Sequence, residues 1–221
     1  MTLQTLVRGA GGFAELVVNS KHALADLGVY FTANNGVTGV ATAAAPTAYS
    51  DTAPFFTLYN SATQNTNLYP DFLRIYETAA GTAGVDLRLK LILDQQVPTA
   101  GTLITGKNVN SAASNAAVGI PRILSTCVTQ TGNSRVLIGG QQVIPTQTAA
   151  ITALTEVNLN FGGTEGYYTG QIGTAAAGLT RTAYDWPAVV IAPGWTMMLE
   201  FLITSQSAAS SWAFELGWFE A

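Results

Sequence analysis

Short runs of alternating apolar and polar residues, separated by turn-forming residues, limit most strongly what this chain can fold into. In the clearest run, residues 85–94, the odd-numbered positions are all apolar: Val85, Leu87, Leu89, Leu91 and Leu93. The even-numbered positions include four charged residues: Asp86, Arg88, Lys90 and Asp94. A period of two is that of a β-strand whose two faces meet different surroundings. The run predicts a strand with one buried face and one face in water.

Similar runs follow one another from residue 54 to the C-terminal part of the chain. They predict strands at 55–59, 72–76, 120–128, 135–144, 157–161, 188–192, 195–204 and 212–219, with Gly, Pro, Asn or Ser between them. No long helical pattern interrupts the series. Short strands at regular spacing with frequent turns predict an all-β fold. We therefore expect a β-sandwich of the jelly-roll type over residues 51–221.

Residues 1–50 have a different composition, with many small and turn-forming residues and few bulky apolar ones. We predict an extended N-terminal arm here, with a strand near 15–18, a short helix from Ser20 that ends near Gly28, and a strand at 29–32. An arm that cannot form its own core is suited to reach onto a neighbouring subunit. Its apolar candidates for partner binding are Leu3, Leu6 and Phe13.

The chain is poor in charge. Nine Lys and Arg stand against thirteen Asp and Glu, so charged residues make up 10% and the net charge is -4, against about 25% charged residues in average proteins. The cations are scattered singly, without the basic stripe that a phosphate backbone requires, so we expect no nucleic-acid partner. A surface of low charge favours association, and we expect a homo-oligomer.

Residues that carry catalysis or bind metals are scarce. His22 and Cys127 are the only residues of their types, which argues against a His-based metal cluster and excludes an intrachain disulfide. The segment 9–14 matches G-x-G-x-x-A, but no alternating strands and helices follow it, so we interpret it as a hinge. Asp86 and Asp94 on one strand lie about 26 Å apart, too far for glycoside hydrolysis. A catalytic pair of carboxylates contributed by two different strands remains an open alternative. We predict no enzymatic activity, no cofactor and no metal site.

The aromatic residues fall into two groups. Trp195, Trp212 and Trp218 follow the strand period and are expected in the core or in a subunit interface. Four others lie in loop-like sequence rich in Gly and Thr: Tyr167, Tyr168, Tyr184 and Trp186. Aromatic residues with a polar tip suit a protein contact or a sugar. Tyr167, Tyr168 and Trp186 are therefore further candidates for partner binding.

Nothing in the sequence predicts export or membrane insertion. Residues 1–8 lack the basic and apolar regions of a secretory signal. The longest apolar stretches, such as Met197–Ile203, contain far fewer than the roughly 20 residues of a membrane-spanning helix. We expect a soluble protein, made in a cytoplasm and without a membrane partner.

Four segments resemble structural proteins of tailed bacteriophages: 55–61 (FFTLYNS), 69–75 (YPDFLRI), 78–83 (TAAGTA) and 205–218 (SQSAASSWAFELGW). The resemblance is one of pattern over residues 55–219. It implies a virion component, a trimeric jelly-roll cement or decoration protein on the capsid surface, with the major capsid protein and copies of itself as partners. Two alternatives stay open: a carbohydrate- or receptor-binding module of a tail fibre or adhesin, and a hydrolase built on a jelly roll.

Overall fold

The computed structural model describes residues 5–9, 12–16, 20–35, 43–44, 46–79, 85–128, 135–147, 156–162, 181–204 and 210–221. The structure is mostly β, with 54% strand and 4% helix. The all-β prediction is confirmed.

The described residues form one short helix, α1 (Ser20–Asp26), and seventeen strands. The strands of the first half are β1 (Thr5–Gly9), β2 (Gly12–Leu16), β3 (Tyr30–Asn34), β4 (Ala43–Ala44), β5 (Phe56–Tyr59), β6 (Leu68–Ala79), β7 (Val85–Asp94), β8 (Val97–Pro98), β9 (Thr102–Leu103) and β10 (Lys107–Asn108). Those of the second half are β11 (Ile120–Ile123), β12 (Cys127–Val128), β13 (Val136–Gln147), β14 (Glu156–Phe161), β15 (Arg181–Trp186), β16 (Thr196–Thr204) and β17 (Ser211–Glu220).

Two large sheets contain most of these strands. Sheet 1 has the order β10, β3, β17, β6, β14, β15, and β4 also pairs with β17. Sheet 2 has the order β13, β7, β16, β5, β11, β9. Neighbouring strands are antiparallel except for β14 and β15, which run parallel. Two smaller two-stranded sheets join β1 to β2 and β8 to β12.

The inner faces of sheets 1 and 2 enclose one apolar core. The ring of Phe56 on β5 lies 4.6 Å from that of Phe214 on β17, and the ring of Phe201 on β16 lies 4.8 Å from that of Trp212 on β17. These side chains are almost fully removed from water. Large aromatic rings contribute much of the area that such a core buries. The prediction of a β-sandwich is confirmed, and so is the core position of Trp212.

The N-terminal region contributes to the sandwich earlier than predicted. The helix expected from Ser20 is present as α1, and Gly28 after it has φ of +68°, a left-handed conformation that favours glycine. The next strand, β3, lies between β10 and β17 in sheet 1. Its Phe31 is buried against Trp218, with ring centroids 5.8 Å apart. Sheet 1 thus includes a strand that precedes the boundary predicted at residue 50. This strand, β3, contributes a bulky residue to the core.

Two predicted strands differ from the structure. The run at 120–128 is divided into β11 and β12 by Leu124, whose φ of +49° is a left-handed conformation that interrupts a strand. The run at 188–192 forms a single bridge, from Ile191 to Leu68. Among the described residues, no helix is long and apolar enough to cross a membrane.

Candidate functional site

A segment outside the sandwich covers the outer face of sheet 2. This strap, residues 46–54, is anchored to the sheet near both ends. The amide of Ile203 on β16 donates to the carbonyl of Pro46 at 2.9 Å, and the amide of Cys127 on β12 donates to the carbonyl of Thr52 at 2.8 Å. On the outer face of β16, Met198 and Glu200 are buried.

Apolar residues on this outer face form a second, smaller core. Ile92 of β7, Met198 of β16 and Cys127 of β12 pack together and are buried. Burial, together with the nearby Asp94 carboxylate, raises the pKa of the Cys127 thiol to about 11. A protonated, buried thiol is a poor nucleophile. The structure thus agrees with the interpretation of Cys127 as a core residue.

Beside the apolar patch lies a group of charged residues, which we call the clasp cluster: Asp51, Lys90, Asp94, Arg135 and Glu200. Lys90 Nζ lies 3.1 Å from Asp51 Oδ1 and 3.4 Å from both carboxylate oxygens of Glu200. Arg135 Nη1 lies 2.5 Å from Asp51 Oδ2, and its Nε lies 3.1 Å from Asp94 Oδ2. The strap is thereby linked by ion pairs to β7 and to the residue that precedes β13.

Glu200 is the least accessible member of the cluster, with 1% of its side chain exposed. Burial, helped by a hydrogen bond to Asp51, raises the pKa of Glu200 to about 7. The same hydrogen bond, with the contacts of Arg135 and Lys90, lowers the pKa of Asp51 well below its usual range. Of these two carboxyl groups, Glu200 is therefore the one that takes up a proton more readily.

Lys90 and Asp94 correct one sequence prediction. Both were expected on a face in water, but Lys90 is half-buried and Asp94 is buried. Gln96 donates to Asp94 Oδ2 at 3.2 Å, and Thr196 donates its hydroxyl proton to the Gln96 carbonyl. The period of two located this face correctly but did not reveal that another part of the chain covers it.

The outer face of sheet 1 carries a different arrangement, which we call the polar ladder: Asn34, Arg74, Glu156, Asn158 and Glu215. These residues come from four adjacent strands, β3, β17, β6 and β14. Asn34 donates to Glu215 at 2.7 Å and Asn158 donates to Glu156 at 2.9 Å. Arg74 pairs with Glu215 and lies 3.8 Å from Glu156. All five are only partly buried, so this face keeps contact with solvent.

The carboxylate of Glu220 fixes the segment before β11 to the last strand, β17. Glu220 Oε1 accepts hydrogen bonds from the amide of Gly119 and from the indole N–H of Trp218, both at 2.9 Å. The amide of Val118 donates to both carboxylate oxygens. Glu220 also lines a cavity of about 330 Å³. Because its carboxylate already accepts three N–H groups, we assign it a structural role.

Of the six predicted partner-binding residues, the structure describes Leu6, Phe13 and Trp186. Leu3, Tyr167 and Tyr168 lie outside the described residues. Leu6 on β1 is opposite Glu15, and Phe13 on β2 is opposite Arg8.

The prediction that Tyr184 and Trp186 lie in a loop is wrong. Both belong to β15, and both are buried. The Trp186 ring lies 6.5 Å from that of Phe161, and a Cβ added at Gly139 would be 3.6 Å from the Trp186 indole. The two aromatic residues are separated by one polar residue, Asp185, which is the alternation of a strand. The Trp186 side chain thus contacts the core of its own chain.

The chemistry available in these groups is that of ion pairs and hydrogen bonds. Within the described part of the chain, no three His, Cys, Asp or Glu residues are placed to hold a metal ion. The clasp cluster escaped sequence reasoning because Asp51 and Glu200 are far apart along the chain. One signal was available: Glu200 is the single charge within the apolar run 197–203.

Comparison of the chain with models of protein families, with curated proteins and with solved structures found no match.

Proposed function

We propose that this chain is a non-enzymatic structural protein of a tailed-bacteriophage virion. In this role it forms a trimeric cement or decoration protein that binds the major capsid protein and stabilises the capsid surface. The sequence resemblance described above suggests this class. The order in which the strands pair is the observation that carries the proposal.

Eight strands pair in a nested order that supports a jelly-roll connectivity. Taken along the chain they are β3, β5, β6, β7, β13, β14, β16 and β17. The first pairs with the eighth, the second with the seventh, the third with the sixth and the fourth with the fifth, all antiparallel. A long hairpin rolled into two facing sheets produces this order. Jelly rolls are common in virus capsids and in lectins.

Exposed apolar residues on one side of the sandwich favour contact between subunits. The strands β10 and β9 form one edge of sheets 1 and 2, respectively. Four large apolar side chains on or near these strands are at least 42% exposed: Leu27, Leu103, Val109 and Leu124. Asn110 donates to the carbonyl of Asp26 at 3.2 Å, which places the end of α1 beside this edge. Exposed apolar groups at one edge are typical of a protein interface.

The hairpin of β1 and β2 supports a docking role for the N-terminal region. It forms a sheet of its own, and in the described part of the chain it pairs with no strand of the sandwich. A two-stranded hairpin is only marginally stable alone in water. Contact with another protein would stabilise it, as expected for an arm that reaches a neighbouring subunit.

The oligomeric state is the first test. Sedimentation velocity of the purified chain should give three times the chain mass of 23.1 kDa. Leu103→Asp places a charge on the exposed edge and should lower that mass, whereas Val190→Asp, a change at a similarly exposed valine, should not. A monomeric wild-type protein would contradict the trimer.

Incorporation into particles is the second test. Deletion of residues 1–18 removes β1 and β2 but leaves α1 and β3 intact. We expect the truncated protein to keep the melting temperature of the full-length chain and to be lost from phage particles that carry it. Normal occupancy of those particles by the truncated protein would rule out the hairpin as the docking element.

One observation favours the alternative of a carbohydrate-binding module. The open face of sheet 1 presents amide and carboxylate groups near the partly buried ring of Tyr76, over which Arg74 lies at 5.7 Å. Such groups suit sugar hydroxyls. Asn160→Ala on this exposed face should abolish a glycan-array signal, and Tyr49→Ala on the strap should leave it unchanged. Trp186→Ala would not be informative, because its ring belongs to the core.

A further inference from the structure

We infer that the strap, residues 46–54, is a proton-dependent clasp: it closes over sheet 2 when Glu200 is protonated and loosens when Glu200 is ionised. The clasp is a property of the chain's own fold and does not depend on the proposed assembly role.

One residue of the strap, Asp51, makes its ionic contacts with sheet 2 and with Arg135. Backbone hydrogen bonds hold the strap at Pro46 and at Thr52, on either side of Asp51. Asp51 contacts Lys90 through Oδ1 and Arg135 through Oδ2. Lys90, which pairs with Asp51, also lies 3.4 Å from both carboxylate oxygens of the buried Glu200. A change in charge at Glu200 therefore acts on the strap through Lys90.

Within the five residues of the clasp cluster, which do not include Arg88 on the same strand as Lys90, the charges balance when Glu200 carries a proton. Lys90 and Arg135 then face the carboxylates of Asp51 and Asp94. After ionisation the cluster contains three carboxylates and two cations. The additional charge lies on a buried side chain, where an unbalanced charge is costly. Opening of the strap would expose that charge to water.

Other charged and titratable groups also face this region. From β7 these are Arg88 and Asp94 in addition to Lys90, and from the segment before β13 the group is Arg135. The strap itself adds Tyr49, whose ring centroid is 5.6 Å from Lys90 Nζ, and β12 adds Cys127. The raised pKa of Cys127 and the lowered pKa of Asp51 keep the charge of both groups constant between pH 5 and 8.

The direction of the pH effect follows from proton linkage. The closed strap raises the pKa of Glu200 to about 7, whereas the open strap leaves the carboxyl closer to its ordinary value. The closed form therefore binds more protons, so opening becomes easier as pH rises. We expect the opening equilibrium to increase on the order of tenfold between pH 5 and pH 8.

Hydrogen–deuterium exchange of the full-length protein tests the inference. The protection of the Ile203 and Cys127 amides, which donate to the strap carbonyls of Pro46 and Thr52, is measured from pH 5 to pH 8 and corrected for the intrinsic pH dependence of exchange. In wild type the corrected opening should rise on the order of tenfold. In Glu200→Gln the amide can donate to Asp51 at every pH, so opening should stay low and constant. Glu215→Gln on the polar ladder is the matched control and should behave as wild type.

A second variant keeps the test decisive if Glu200→Gln does not fold. Asp51→Asn removes the neighbouring negative charge, so Glu200 should ionise at lower pH. The carbon-13 resonance of its side-chain carboxyl would show the change directly. Constant opening in wild type, unchanged pH dependence in Glu200→Gln, or the same titration midpoint in Asp51→Asn would each overturn the inference.

Discussion

The two outer faces of the sandwich are built on the same alternation of residues, yet they meet different surroundings. The outer face of sheet 1 carries the polar ladder, whose side chains are only partly buried. The outer face of sheet 2 lies under the strap and beside the pair of β8 and β12, and its Met198 and Glu200 are buried. A period of two shows that a strand has two faces, but not which of them meets water.

The residues at the outward positions explain this difference. On β6 and β17 the positions of the polar ladder are filled by Arg74 and Glu215, which form ion pairs at the surface. On β7 and β16 some outward positions are apolar, as at Ile92 and Met198. Apolar residues on both sides of a strand require a cover on both sides. The strap provides part of that cover.

The largest expected effect concerns the covered face. Met198→Ala should lower the free energy of unfolding by about 2–5 kcal/mol, as for a methionine in a protein core. The reason is that Met198 is completely buried between sheet 2 and the elements outside it. Urea denaturation followed by tryptophan fluorescence would measure the loss. A loss below about 1 kcal/mol would show that the cover is not a tightly packed core.

A smaller effect should appear in the pH dependence of stability. The pKa of Glu200 is raised in the folded state from an ordinary 4.5 to about 7. Between these values the folded state binds more protons than the unfolded state, so stability falls as pH rises. The contribution is up to about 3 kcal/mol. The lowered pKa of Asp51 acts in the opposite direction, but only at pH values near or below its ordinary 3.8.

Urea denaturation at several pH values between 4.5 and 8 would measure this slope. Glu200→Gln should flatten the profile in that window. A wild-type stability that rises steadily from pH 5 to pH 7, with the same rise in Glu200→Gln, would contradict the assignment of the proton to Glu200.

The smallest effect is expected on the open face. Glu215→Ala breaks the ion pair with Arg74 and the hydrogen bond from Asn34, but its side chain is 29% exposed. Exposed ion pairs contribute about 0–1 kcal/mol, and the same denaturation experiment should show a loss in that range. A loss above about 2 kcal/mol would show that this face, too, is covered in solution.

Much of the fold was predictable because its signals are local. The inward leucines of β7 and the aromatic residues of β17 follow the strand period, and α1 ends near the predicted Gly28. Interruptions of the strands were harder to predict from the sequence. Leu124 has a left-handed backbone, although leucine is not typical of such positions. Tyr184 was assigned to a loop because Gly and Thr surround it, but pairing of β15 with β14 decides its conformation.

The candidate site was less predictable because it depends on contacts between distant parts of the chain. Asp51, Lys90, Arg135 and Glu200 lie in four separate segments, and each residue alone resembles an ordinary surface charge. Glu200 within an apolar strand was the only local indication. The partner that receives its hydrogen bond belongs to the strap, whose position follows from the three-dimensional fold.

The pairing of β3 with β17 has a consequence for how the molecule is made. Asn34 of β3 pairs with Glu215 of β17, which is synthesised 181 residues later. Closure over so long a loop is slow compared with the formation of a local hairpin. Until β17 is available, sheet 1 is incomplete and aromatic side chains of the core stay exposed to solvent. A molecular chaperone that binds these side chains would reduce aggregation during this period.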